Sequence, residues 1–143
     1  MKNEITNNIE ALFYLIKNHH EFMERGLSST KKILDSIKSE KFDVLTQECE
    51  NRQRLISVME KIQKIIEDLI LGNKSRLKNP VFKKEILKWQ REYELWIIDI
   101  DNLDQYILNL LNQEKDKTTQ EIATVFKNRQ TMQRYDLSTT KNK

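Results

Sequence analysis

The fold is decided by one stretch, Glu94–Arg134, which reads ELWIIDIDNLDQYILNLLNQEKDKTTQEIATVFKNRQTMQR. It contains no glycine and no proline, and its first half repeats apolar side chains at steps of three and four residues: Ile97, Ile100, Leu103, Ile107 and Leu111. This spacing places them on one face of an α-helix. A polar segment around Glu114 and Thr118 interrupts the pattern, and apolar residues then return at Ile122, Ala123, Val125 and Phe126. We expect the first half to pack in the core and the second half to extend beyond it.

The composition of the chain favours an all-α fold. Its 143 residues are 33% charged and 38% hydrophobic, and they include only two glycines and one proline, so helices can be long and tight turns are few. The length is that of a single domain, which can bury a core without disulfides or a metal. The single cysteine, Cys49, lies among apolar helical positions and is interpreted as a small buried thiol.

The charge of the chain is small in total and uneven in distribution. The net charge is +3; residues 73–92 are mainly basic, residues 93–116 mainly acidic and residues 117–143 mainly basic. The ordinary interpretation is a solvated helical surface, since a nucleic-acid binder would need the basic segments 73–92 and 117–134 to converge on one face. The sequence has no N-terminal signal pattern and no apolar run long enough for a bilayer, which predicts a soluble cytoplasmic protein without membrane insertion.

Two helices precede the opening stretch. The first is predicted by one apolar face that includes Ile5, Ile9, Leu12, Ile16, Met23, Leu27, Leu34 and Ile37. The second follows the short polar connection Ser39-Glu40-Lys41 and has a seam of Leu45, Cys49, Arg52, Ile56, Met59, Ile62, Ile66 and Leu69. A connection this short makes the two helices antiparallel neighbours. Gly26 is expected to let a neighbouring helix approach closely, and Gly72-Asn73 to end the second helix in a left-handed turn.

A third helix is expected from about residue 81, because the ring of Pro80 suits the first position of a helix. Its opening turns are rich in aromatic residues at core spacing, which is typical of core filling rather than of a ligand cage: Phe82, Ile86, Trp89, Tyr93 and Trp96.

The predicted fold is therefore all-α, a long antiparallel helical hairpin plus a long C-terminal helix in an elongated three-helix bundle or coiled coil. We expect helices at about 4–38, 43–71 and 81–134 in one domain, 1–135, and a disordered tail at 136–143. The predicted core includes Leu45, Ile56, Ile66, Ile97, Leu103 and Ile107.

The residues that carry chemistry in enzymes do not form a known pattern here. The sequence has no Gly-rich phosphate loop, no Cys/His metal spacing and no nucleophile elbow. His20 and Glu24 are spaced for one helix face, but two ligands are too few for a metal, and the Glu-x-x-His repeats of di-metal bundles are absent. His19 and His20 are interpreted as structural or surface residues. We expect no enzyme activity, no metal and no cofactor.

Two stretches resemble the FlgN-type flagellar type III export chaperones, a family whose close cousins are the FliT-type chaperones. Members commonly show Gly-Asp-Phe-x-x-Leu, followed on a helix by a basic residue and a leucine pair. Here that frame is matched by Lys41-Phe42-Asp43-Val44-Leu45, then Arg52 and Leu55-Ile56, with Glu40-Lys41 in place of the Gly-Asp turn.

The second stretch is KNRQTMQRY, Lys127–Tyr135, which is similar to the basic, tyrosine-terminated ending of these chaperones. Asn128 stands where glycine is usual, Thr131 at the small position and Met132 at the leucine position, and Tyr135 falls in register. With the chain length and the hairpin pattern, the resemblance spans nearly the whole chain.

The resemblance implies a cytoplasmic chaperone that binds hook–filament junction proteins of the FlgK/FlgL type. Such a chaperone prevents their premature assembly and delivers them to the export gate, without a cofactor. It also implies that Tyr135 docks at the cytoplasmic domain of the FlhA-type export gate. Junction proteins have disordered, amphipathic terminal segments, for which an exposed apolar helix face is a suitable partner.

The predicted substrate-binding stripe is the distal apolar group, Ile122, Val125, Phe126 and Met132. A helix over residues 81–134 would be about 80 Å long, beyond the reach of the hairpin, so this stripe is expected to be uncovered. In the alternative, the distal helix folds back as a fourth bundle element and buries the same residues.

Three other functions stay open on the sequence. A FliT-type chaperone of the filament cap protein is separated only weakly from the FlgN type. A structural coiled-coil protein would satisfy its apolar seam by self-association. A helical nucleic-acid binder would show strongly salt-dependent binding.

Overall fold

The computed structural model describes residues 2–113 and 119–128 and is helical throughout its regular structure. Helix α1 is Lys2–Lys38, α2 is Phe42–Gly72, a 3₁₀ turn covers Lys74–Lys78, and α3 is Pro80–Asn112. A fourth helix, α4, covers residues 119–128. No strand occurs among these described residues, and the predicted all-α class is confirmed.

The third helix is shorter than the sequence predicted. A continuous helix over 81–134 is wrong, because α3 ends at Asn112 and Gln113 is in a turn. The expected bounds of the first two helices, 4–38 and 43–71, agree with α1 and α2 to within two residues. The predicted tail, 136–143, lies outside the described residues.

The corner between α1 and α2 is closed by a left-handed residue. Lys41 donates its backbone N–H to the Ser36 carbonyl (2.9 Å) and Glu40 donates to the Ile37 carbonyl (3.1 Å). These two bonds form a Schellman motif, and Glu40 takes its left-handed position with a φ of 57°. Glycine normally fills this position because it has no Cβ, so Glu40 holds a strained conformation. The left-handed stop expected at Gly72 is wrong, since Gly72 is the last residue of α2 and its φ is not positive.

The start of α3 follows from Asn79 and Pro80. The Asn79 side-chain Oδ1 accepts the backbone N–H of Val81 at 3.0 Å, and the Asn79 carbonyl accepts the N–H of Lys83 at 3.0 Å. Asn79 is therefore the N-cap, and Pro80 occupies the first helical position as predicted.

The chain divides into two compact units. Unit 1 is Met1–Gly26 with Gln53–Trp96. Its core brings together residues of α1, α2 and α3: Leu12, Ile66, Phe82, Ile86 and Trp89. A Cβ on Gly26 would lie 3.4 Å from Cζ2 of Trp96 and 3.8 Å from Ile56, so the glycine does allow the close approach that was predicted.

Unit 2 is Leu27–Arg52 with Ile97–Lys143. Its core contains side chains from all four helices: Ile33, Ile37, Leu45, Ile107, Leu111, Ile122, Ala123 and Phe126. Of the residues predicted for the core of the chain, five are buried and Leu103 is half-buried.

No helix in the described part of the chain is both long and apolar enough to cross a bilayer.

Candidate functional site

Helix α4 inserts one face into the core of unit 2. Ile122 is 7% exposed, Ala123 4% and Phe126 3%, whereas Val125 is 42% exposed. The predicted uncovered stripe is therefore wrong for Ile122 and Phe126. Positions 122 and 126 are four apart and share one helix face, while Val125 is rotated about 100° from Phe126 and points away. Met132 and Tyr135 lie outside the described residues.

Helices α1, α2 and α3 form the surface that receives α4. We call it the α4 groove, and it is lined by Ile33, Ile37, Leu45, Ile107 and Leu111. Leu45, Ile107 and Leu111 are fully buried. The α4 groove is thus an apolar site that accepts one face of an amphipathic helix.

A buried ion pair adjoins the α4 groove. The Arg52 guanidinium of α2 lies 2.6 Å from the Asp104 carboxylate of α3, and their side chains are 4% and 0% exposed. The Phe126 ring of α4 lies over the same guanidinium, 4.5 Å from Cζ to the ring centroid. Removal of two charges from water is costly, so this pair is expected to add little net stability. Its main effect is to fix how α2 and α3 are positioned next to each other. The guanidinium of Arg52, on α2, thus contacts side chains of both α3 and α4.

Asp104 was missed at the level of sequence, although a signal was present. Arg52 belongs to the predicted α2 seam and matches the basic residue of the family resemblance. Asp104 continues an alternating three-four spacing on α3, between Ile100 and Ile107. An acidic residue on one buried seam and a basic residue on another predict a buried pair when both helices belong to one core.

The Cys49 thiol lies beside this pair and is unreactive. Cys49 is half-buried and packs against the core of unit 2. Burial raises the pKa of the Cys49 thiol to about 11, although the nearby Arg52 charge acts in the opposite direction. The thiol therefore stays protonated near neutral pH, as expected for a packing residue.

Unit 1 contains a separate buried aromatic cluster around His19. Trp89 donates its indole Nε1–H to His19 Nδ1 at 3.0 Å, and Trp96 donates its Nε1–H to the Met23 carbonyl at 2.7 Å. The ring of Tyr93 packs against both His19 and Trp96. The aromatic residues of α3 fill the core, as predicted.

His19 is neutral in this cluster. Its side chain is fully buried, and this burial, together with the adjacent His20 charge, lowers the pKa of His19 from 6.5 to about 4. Because Nδ1 accepts the Trp89 N–H, the imidazole proton resides on Nε2. His20 is exposed and lies 3.2 Å from Glu24 and 3.7 Å from Glu92. Within residues 2–113 and 119–128, no group of three His, Cys, Asp or Glu side chains is placed to hold a metal.

The fold and the α4 groove define a helical protein in which one face of α4 is held by three other helices. Comparison of the chain with protein-family models, with curated proteins and with solved structures finds no match.

Proposed function

We propose that this chain is an export chaperone of the FlgN type, which holds an amphipathic segment of a hook–filament junction protein before export. The observation that carries the proposal is the α4 groove: unit 2 presents a surface that accepts one face of an amphipathic helix. In this proposal α1 and α2 act as a long antiparallel hairpin, with α3 alongside. Localisation in the cytoplasm, where the unexported subunit is found, is part of the same proposal.

The α4 groove contains α4 in the free chain, so a partner segment has to displace it. The described part of α4, residues 119–128, buries Ile122, Ala123 and Phe126 in the groove. Its helical form depends on this packing, because most of the stability of a helix in a protein comes from the tertiary packing of its apolar face. A bound partner must therefore offset both the loss of α4 packing and the unfolding of α4. The apparent Kd equals the Kd for the open groove divided by the fraction of molecules in which α4 has left the groove. The partner therefore binds more weakly when α4 occupies the groove in most molecules.

The Arg52 guanidinium adds selectivity to this site. The face of Arg52 that packs on Phe126 loses its aromatic neighbour when α4 leaves. A partner helix that places an aromatic ring at the same point regains the cation–π contact, which contributes about 2 kcal/mol where water is excluded. We therefore expect the preferred partner segment to carry an aromatic residue four positions after an aliphatic one, as Ile122 and Phe126 do.

The delivery step is assigned to the end of the chain. Tyr135, by the family resemblance, docks at the cytoplasmic domain of the FlhA-type export gate. Because Tyr135 follows the described part of α4 in the sequence, Tyr135→Ala should weaken gate binding and leave junction-protein binding unchanged. Paired titrations against the gate domain and the junction protein separate the two steps.

The experiment is a calorimetric titration of the full chain with FlgK/FlgL-type junction proteins and, for comparison, with a filament cap protein. Binding of junction proteins at micromolar or tighter Kd supports the proposal, preferential binding of the cap protein supports the FliT type, and binding of neither overturns both.

Two variants on α4 test the mechanism. Phe126→Ala loosens α4 and should tighten partner binding, whereas the matched variant Val125→Ala removes an exposed side chain and should change nothing. As a control, circular dichroism of both variants should show that the helical content of α1, α2 and α3 is retained. Weaker partner binding in Phe126→Ala, with the helices intact, would show that α4 itself contributes to the bound state and does not compete with it.

A further inference from the structure

The part of α2 in unit 1 carries a second row of apolar residues beside the row that faces the core. This outer seam recurs at alternating steps of three and four residues: Leu55, Val58, Ile62, Ile65 and Leu69. Val58 and Ile65 are 39% and 48% exposed, and the other three are half-buried. Ile62 and Leu69 pack against the core of unit 1 with one side and leave the other side exposed next to Val58 and Ile65. The spacing is that of a coiled-coil seam, so the outer seam suits packing against one further helix.

We propose that the outer seam pairs with the same seam of a second copy of this chain, with the two α2 helices antiparallel. In one register, Val58 lies opposite Leu69 of the second copy and Ile62 lies opposite Ile65 of the second copy. The twofold axis repeats both contacts, which gives four apolar layers with no polar residue among them. A self-complementary surface of this kind is the hallmark of an isologous interface.

Charges beside the seam select this register. Lys61 and Asp68 are exposed and flank the outer seam on one side, seven residues apart. In the proposed register, Lys61 of each copy faces Asp68 of the other, which makes two symmetric ion pairs. A slip by one heptad would place Lys61 against its own symmetry mate and Asn51 against Leu69, and both changes are unfavourable.

The other flank of the seam argues against a parallel pair. Met59 and Ile66 occupy that flank and are buried in the chain's own fold. In parallel pairs, the charged residues on one flank face the opposite flank of the partner helix. Lys61 and Asp68 would then find no charged partner. The chain itself, in antiparallel orientation, is the occupant that fits both the apolar layers and the charges.

The experiment is sedimentation equilibrium of the full chain at low ionic strength, where surface charges are least screened. The wild-type chain should be a dimer at about 100 μM, a concentration at which a pair with a Kd of roughly 10 μM is mostly associated. Lys61→Glu alone, and Asp68→Lys alone, each turn both attractive pairs into repulsive ones. Each should weaken self-association by on the order of tenfold.

The most specific test is sedimentation equilibrium of an equimolar mixture of Lys61→Glu and Asp68→Lys. In a mixed dimer, every reversed charge faces an opposite one, so the mixture should associate as tightly as the wild type. The double variant Lys61→Glu/Asp68→Lys should also dimerise normally. Restoration in the mixture occurs only when residue 61 of one copy faces residue 68 of the other.

Two substitutions of apolar residues complete the test. Ile65→Lys should give a monomer, whereas Leu87→Lys, at a 54% exposed position of α3 in the same unit, should remain a dimer. A monomeric wild type, single charge variants that dimerise normally, or a mixture that stays monomeric would each overturn the proposal. The proposal would also be overturned if the wild-type chain is monomeric and Ile65→Lys loses junction-protein binding. The outer seam would then be the binding surface for the junction protein.

Discussion

The buried pair of Arg52 and Asp104 makes a quantitative prediction about the stability of unit 2. Arg52→Met removes the positive charge that faces a carboxylate with 0% exposure, at 2.6 Å. Asp104→Leu removes the negative charge and leaves the guanidinium in a site 4% exposed. Each single variant should lower the free energy of unfolding by about 3–5 kcal/mol, because an uncompensated buried charge remains.

The double variant separates attraction from desolvation. Arg52→Met/Asp104→Leu leaves no buried charge at this site and should lie within about 1 kcal/mol of the wild type. Glu24→Gln is the matched surface control: it alters a pair whose side chains are 48% and 69% exposed, and it should change stability by less than about 0.5 kcal/mol.

The assay for this cycle is urea denaturation, followed by circular dichroism and by tryptophan fluorescence. Both tryptophans of the chain, Trp89 and Trp96, belong to unit 1, so fluorescence reports on unit 1 while circular dichroism reports on all helices. Single variants that cost less than about 1 kcal/mol, or a double variant that costs the sum of the two, would refute this reading of the pair.

Three further predictions concern separate parts of the chain. The free energy of unfolding should fall by about 1.4 kcal/mol per pH unit, or about 3.5 kcal/mol in total, as the pH falls from 6.5 to about 4, because the folded chain keeps His19 neutral while the unfolded chain protonates it. His19→Gln, which retains an acceptor for Trp89, should remove this slope in an acid titration of the unfolding free energy. Glu40→Gly should raise the unfolding free energy by about 1 kcal/mol by relieving the left-handed strain, and Glu40→Val should lower it; equal stability of all three chains would contradict the Schellman assignment. A chain that ends at Asn112 should melt at a lower temperature than the full chain, because it exposes the α4 groove; an unchanged melting curve would mean that α4 contributes nothing to unit 2.

Much of the helical framework was readable from apolar spacing. The seams of α1 and α2 extend over many turns, so their bounds were predicted to within two residues. Pro80 marked the start of α3 because its fixed φ suits only the first turn of a helix. Long, strongly periodic segments carry most of their structural information locally.

The end of α3 was not readable in the same way. Glycine and proline are absent from Glu94–Arg134, but their absence only permits a continuous helix and does not require one. The position of α4 depends on the burial of Ile122 and Phe126 against three other helices, a gain that local propensity does not contain. The contact of Phe126 with Arg52 and the exposure of Val125 result from this tertiary packing, so local sequence does not predict them.

The left-handed residue was also misplaced by sequence reasoning. Gly72 was the expected position because glycine tolerates a positive φ, yet Glu40 adopts it. The two hydrogen bonds of the Schellman motif and the short connection to α2 offset the local strain at Glu40. Such compensation by the surrounding chain is visible only in the folded structure.

The central claim, that a partner segment takes the place of α4, is tested most directly by hydrogen exchange at the backbone amides of residues 119–128. Exchange is measured in the free chain and in the chain saturated with a FlgK/FlgL-type junction protein. The amides that are hydrogen-bonded within α4 should be protected in the free chain and should exchange much faster in the complex, because α4 loses the packing of Ile122 and Phe126 when it leaves the groove. Equal or slower exchange in the saturated complex would contradict displacement and place the junction protein elsewhere on the chain.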